Sequence, residues 1–377
     1  MCRVFLLCLL VFVATTTEVI GTGTAAPVDR TLNLQEARIT GKYRLVLERA
    51  LNRLKLWLTS NHHGALSELA GDTIKFNDVL IDYLQHLYRD QAGVAAGRNC
   101  LLSVQNEFRH LKTAFHKAWD SIKSWEMIEP VSLRKPIPHL IVQALAVYGF
   151  LRGFSASKPS VACDWISFAV GCLVSFHALL RPGEWGALAA RQVAVPARGI
   201  QGLTKHALVT VLNGKNRRVF GKIQIAILDN PVAIGWLGWL SNTMPDDTRF
   251  APRGAGQFRS LFHEATRALG VAELGLSPEG LRAGGATYMF ANEILDIGRL
   301  KFRGRWASLH TLEHYVQEAT ATLVMMRAGN TQIQFLEEFV ACGHVFLKPP
   351  PLPWPSYFSR RRQRNGFAQP QSHHPLL

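Results

Sequence analysis

Apolar and polar positions alternate with a helical period through most of the chain. Between 41 and 60, Val46, Ala50, Leu54, Trp57 and Leu58 recur at helical spacing, with Arg49 and Arg53 four apart on another face. Asp72 or Thr73 is placed to cap a second helix whose buried stripe is Phe76, Leu80, Leu84 and Leu87. Gly93 and Gly97 predict a break. A further helix over about 98–125 carries Leu101, Phe108, Leu111, Phe115 and Trp119, with Arg109, Lys112, Lys117 and Lys123 among them. No strand pattern interrupts this region, and each stripe reads as core.

Three prolines and two basic residues in Pro130–Pro138 predict a linker. Beyond it, 139–153 and 163–180 are apolar enough to be buried helices. The texture changes over 207–228. ALVTVL and KIQIAIL are β-branched and partly alternating, and GKNRRVF lies between them, which predicts two strands joined by a basic turn. Helical patterns resume at about 231–242, 256–269, 279–300, 309–327 and 331–341. The expected fold is mainly α with a small β-sheet, the sheet belonging to a second, α+β domain.

The length of 377 residues suits two domains, and 48% hydrophobic residues exclude wholesale disorder. Lys and Arg number 42 against 27 Asp and Glu, a formal charge of +15, which favours a polyanionic partner. The six cysteines include no C-x-x-C pair, so neither a disulfide framework nor a zinc site is expected. Cys342 and His344 lack a second ligand pair. No P-loop is present.

The two ends carry separate signals. Arg3, the run Val4–Ala14 and the small residues to Ala26 read as a signal peptide over 1–27, although a wrongly assigned start codon or a hydrophobic leader with no export role yields the same run. Residues 28–40 read as a polar linker, and 346–377 as a Pro/Arg-rich disordered tail.

Candidate chemistry lies in three segments. LVSFHALLRPGEWGAL holds Arg181 with Glu184 three residues on. SPEGLRAGGATYMF puts Arg282 on a helix that starts near Pro278. GRWASLHTLEHYVQEA gives Trp306 and, nine residues later, Tyr315 on a helix. Each alone has an ordinary structural reading, as a surface ion pair, a structural arginine or a packed aromatic.

In combination the order runs arginine with an acidic neighbour, basic hairpin, L-R-A-G-G-A-T, G-R-W, tyrosine. This resembles the catalytic domain of the tyrosine recombinase (phage integrase) family over about 137–345. Residues 41–130 are similar to that family's helical core-binding domain. The resemblance implies a two-domain clamp on double-stranded DNA, which cuts and rejoins strands through a 3′-phosphotyrosine, as in mobile-element integration. It implies Arg181 and Arg282 as the phosphate-holding arginines, Glu184 as the buttress of the first, Trp306 as a phosphate donor and Tyr315 as nucleophile. It implies Lys215 as the hairpin lysine that protonates the departing 5′ oxygen, with Lys222 on the same hairpin as its rival. It further implies self-association on DNA as a tetramer, no cofactor, no metal, no membrane for the mature protein and a nuclear location. That location conflicts with the leader.

The chemistry agrees with those roles. Paired guanidinium groups grip non-bridging phosphate oxygens and stabilise the charge of the transition state. An indole N–H is always a donor. One residue departs from the pattern. Glu279 stands three residues before Arg282, where the family usually has histidine. A carboxylate there repels phosphate and competes for Arg282. It leaves open a protonated or averted Glu279, a donor from elsewhere, or a slow or silent enzyme that only binds DNA. A secreted helical protein is the third functional class, favoured by the leader.

Overall fold

The computed structural model describes residues 38–130, 134–196, 205–212 and 214–348. The leader, most of the 28–40 segment and the tail from 349 lie outside the described residues. The chain divides into two units between residues 132 and 133. The structure is mainly helical with one small antiparallel sheet.

The N-terminal unit comprises α1 (Gly41–Ser60), α2 (Leu66–Leu69), α3 (Thr73–Arg89), α4 (Val94–Glu107) and α5 (His116–Ile128). Asp72 caps α3, its Oδ1 accepting from the backbone N–H groups of Ile74 and Lys75 at 3.1 Å. The buried stripe of α1 is Leu47, Leu51, Leu54 and Leu58. The expected stripe shares only Leu54 and Leu58 with it, and Val46 is exposed. Both stripes fit the period, and the face with four leucines removes more apolar area from water.

Gly97 is no break. It lies inside α4, where a Cβ would come within 2.8 Å of Ile122 and 2.9 Å of Leu84. The expected helix over 98–125 is instead two helices. Phe108 leaves the helical region (φ −107°, ψ 78°), and a 3-10 turn at Arg109–Leu111 follows. The buried Asn77 of α3 bonds the Ala114 carbonyl at 3.3 Å and the Ala118 N–H at 3.1 Å, which fixes the start of α5 from another helix.

In the C-terminal unit α6 (His139–Phe154) and α7 (Pro159–His177) form the core. By length and composition α7 could cross a membrane, but it is mostly buried inside this unit and serves as a core helix. After α8 (Pro182–Ala187) come β1 (Val193–Ala194), β2 (Ala207–Leu212), α9 (Arg217–Phe220) and β3 (Ile223–Leu228). The strands pair antiparallel in the order β1-β2-β3, with Val209 opposite both Val193 and Ala226. The link between β2 and β3 contains a short helix and is longer than the expected turn. Strand β1, with two residues, is too short to show a period.

The remaining helices are α10 (Pro231–Thr243), α11 (Gly254–Ala268), α12 (Gly280–Ala291), α13 (Ile297–Gly304), α14 (Leu309–Glu313), α15 (Glu318–Ala328) and α16 (Asn330–Cys342). The expected helix over 279–300 is split. Glu293 turns to φ 53°, and Asp296 caps α13 through the Arg299 N–H at 2.9 Å. The expected helix over 309–327 is split at 314–317, so Tyr315 lies in a turn and not on a helix. Phe346 and Leu347 belong to the folded unit, since both their carbonyls accept from the buried Trp236 indole at 3.2 Å.

Candidate active site

Helix α12 comes close enough to its neighbours to build a site because of its small residues. A Cβ on Gly284 would overlap the Ile137 carbonyl, and one on Gly285 the Phe176 carbonyl. The R-A-G-G-A-T run therefore seats Arg282 deep in the unit, with 2% of its side chain exposed. A second cluster of buried residues, including Leu179, Met289, Leu300, Trp306 and Leu312, packs Tyr315 at its edge and meets Arg282 through Trp306.

Arg181 caps α8, where Pro182 occupies the first helical position, which suits its fixed φ. Glu184 reaches back from the third helical position. Its Oε2 accepts the Arg181 backbone N–H at 3.0 Å and its Oε1 accepts Arg181 Nη1 at 2.7 Å. Arg305 Nη2 also donates to Oε2, at 2.9 Å, and Arg282 Nη1 lies 3.9 Å from that oxygen. Three guanidinium groups thus converge on one carboxylate. Burial raises the Glu184 pKa, but Arg305, the Arg181 N–H and the other two guanidinium groups outweigh it and hold it below the usual value.

Arg282 Nη2 donates to the Gly304 carbonyl. Its guanidinium carbon lies 4.7 Å from the centre of the Trp306 ring and 5.6 Å from that of Tyr315. The two aromatic rings are 5.1 Å apart. Burial, then the charges of Arg181 and Arg305, pulls the Arg282 pKa down, although arginine stays protonated at neutral pH. Arg282 Nε and Nη1, Arg305 Nε and Nη1 and the Trp306 indole N–H have no acceptor among the described residues.

Lys215 is exposed in the loop between β2 and β3. Its neighbour Asn216 donates to the Arg305 carbonyl at 3.1 Å. Arg303 bonds Asp229 at 3.0 Å and the Ile227 carbonyl at 3.2 Å. The hairpin is therefore tied to the Trp306 segment at both ends. Lys222 is also exposed, and it lies on the far side of α9, next to β3.

Glu279 does not compete for Arg282. Its Oε1 accepts from Arg259 Nη2 at 2.6 Å. Burial raises its pKa, but its own backbone N–H and Arg259 outweigh this and keep it below the usual value. The protonated Glu279 allowed by the sequence is thus set aside. His310 and His314 are exposed, and His310 lies 3.4 Å from Glu313.

Sequence reasoning missed three residues. Arg305, Asn216 and Thr287 support the site from within motifs already singled out. The Thr287 hydroxyl donates to the Tyr315 carbonyl and accepts the Gln317 N–H, both at 3.0 Å, and so clamps the turn that carries Tyr315. Thr287→Val will leave both groups unpaired, lower stability by about 1–3 kcal/mol and speed hydrogen exchange at the Gln317 amide. Thr287→Ser will restore both. Unchanged exchange in the valine variant would show that the hydroxyl does not hold the turn.

Among the described residues no group of three His, Cys, Asp or Glu side chains could hold a metal ion. No protein-family model matches this chain and no curated protein is found similar to it, so the residues and their geometry carry the functional reading.

Proposed function

We propose that this chain is a tyrosine-type DNA strand transferase that cuts and rejoins duplex DNA through a 3′-phosphotyrosine on Tyr315. The observation that carries the reading is the charge at the site. Three guanidinium groups share one carboxylate, an excess of two positive charges, and N–H groups of Arg282 and Trp306 lack acceptors. A tetrahedral phosphate supplies both the negative charge and the missing acceptors.

In this reading Arg181 and Arg282 bind the non-bridging oxygens and Trp306 adds one neutral donor. Tyr315 Oη attacks phosphorus and releases its proton to water, the bond to the 5′ oxygen breaks, and Lys215 protonates that oxygen. The tether through Asn216 favours Lys215 over Lys222 for this step. Arg259 pairs with Glu279 and offsets its charge at the position where the family has histidine. On DNA the helical unit, whose α1 exposes Lys42, Arg49, Arg53 and Lys55, holds one side of the duplex and the larger unit the other, in a self-associated complex in the nucleus.

A duplex nicked next to the cleavage point tests the proposal, because the short leaving strand diffuses away and traps the enzyme on DNA. A covalent adduct that survives denaturation and maps to the peptide containing Tyr315 is expected. DNA binding without any adduct would leave a binding protein. No binding at low salt would overturn the reading altogether.

A further inference from the structure

Residues 304–306 are where the separate parts of the site meet. The Gly304 carbonyl accepts from Arg282, the Arg305 carbonyl accepts from Asn216, and the Trp306 ring lies against Arg282 and Tyr315. The side chain in the middle adds charge to the site but contacts no reacting group in the chemistry above, and its placement is demanding. Arg305 is 4% exposed and sits at φ 58°, ψ 45°, a conformation that glycine adopts freely and arginine does not. A charged side chain is thus both desolvated and held on a strained backbone.

The partners of that side chain explain the placement. Arg305 Nη2 donates to Glu184 Oε2 at 2.9 Å and to the Leu179 carbonyl at 3.1 Å. Leu179 is itself at φ 53°, two residues before Arg181. One guanidinium therefore joins two strained turns and grips the carboxylate that orients Arg181. Without it, the Arg181 backbone N–H is the one hydrogen bond left to Glu184 Oε2, with Arg282 Nη1 3.9 Å away, and the Leu179 carbonyl loses its hydrogen bond to the Trp306 segment.

We infer that Arg305 is a positioning residue for the phosphate clamp: it fixes Glu184 and the Leu179 turn, and through them sets where Arg181 presents its guanidinium. Its carbonyl meanwhile holds the Lys215 loop to the same point through Asn216. The inference rests on the strand-transfer reading.

The test uses the full chain with Arg305→Gly and Arg305→Lys. Glycine suits the backbone conformation and removes the guanidinium. Lysine keeps the charge but carries all its donors on one nitrogen and lacks the planar fork. Single-turnover cleavage of the nicked duplex is measured at saturating DNA, per folded molecule, and affinity is measured separately. The glycine variant is expected to cleave about 100-fold more slowly, the size of effect that small misplacement of a reacting group produces. Its affinity is expected to stay within about threefold, because many phosphate contacts share the binding. Lysine is expected to fall between glycine and wild type.

Saturating rates equal to wild type in both variants, or a loss confined to affinity, would overturn the inference and leave Arg305 a structural or DNA-contacting residue. If the glycine variant fails to fold, the lysine variant decides by the same rates. An adduct in the wild type with undiminished variants removes only the role of Arg305. A wild type that forms no adduct removes the strand-transfer reading and this role together.

Discussion

Tyr315→Phe will bind duplex DNA as tightly as the wild type and form no covalent adduct. The ring packs 5.1 Å from Trp306 and faces the Arg282 guanidinium at 5.6 Å, and both contacts involve the aromatic ring, which phenylalanine retains. The turn that carries the residue is held through its backbone by Thr287, independently of the phenol. Only the phenol oxygen is removed, the atom that attacks phosphorus in the proposed reaction. In the proposed complex affinity is expected from dispersed basic residues on a chain of formal charge +15, so one neutral hydroxyl would contribute little to it. A mobility-shift titration and a denaturing gel of the nicked duplex, run on the same preparations, separate the two effects. Adduct at the wild-type level in the phenylalanine variant would place the nucleophile elsewhere.

Much of the fold was legible because local patterns agree with it. The helices around Leu80, Phe150 and Trp236 and the strand pair at 207–228 lie where their periods put them. The failures share a physical cause. Gly97, Asn77 and the breaks near Phe108, Glu293 and Tyr315 are decided by partners distant in sequence or by a local excursion of the backbone. A period computed along one helix contains neither. The register of α1 shows the limit from another side. Two stripes one residue apart fit the same period, and only the surface presented by neighbouring helices selects the leucines.

The cluster was legible in its residues and opaque in its support. Arg181, Glu184, Arg282, Trp306 and Tyr315 converge although they come from three separate segments. Arg305 stood inside the G-R-W motif without a role. Its role depends on a left-handed backbone and on Glu184, more than a hundred residues away in the chain, neither of which a motif records. Glu279 was the reverse case. Its charge was visible, whereas Arg259, the residue that neutralises it, lies on a different helix, α11, with nothing in the sequence to pair the two.

Glu184→Gln will destabilise the C-terminal unit more than any substitution of its three partners that keeps their charge. The carboxylate is 9% exposed, and it is the counter-charge for Arg282 and Arg305, which are 2% and 4% exposed. Glutamine has nearly the same shape but leaves those guanidinium groups buried without a negative partner. Breaking a buried pair in this way costs about 3–5 kcal/mol. For a unit of this size the loss corresponds to a fall in Tm of about 6–20 °C. The pH dependence supplies a second mark. Because the folded-state pKa of Glu184 is held below its unfolded value, its stabilisation is complete above the unfolded pKa and disappears as pH falls through the folded one. Glutamine takes up no proton, so the difference in Tm between the two proteins will be full at neutral pH and will shrink in acid. Thermal melts of wild type and variant across the acid range measure both features. Equal melting at neutral pH would show that Glu184 does not hold the arginines together, and a constant gap down to strong acid would show that its charge is not what stabilises the site.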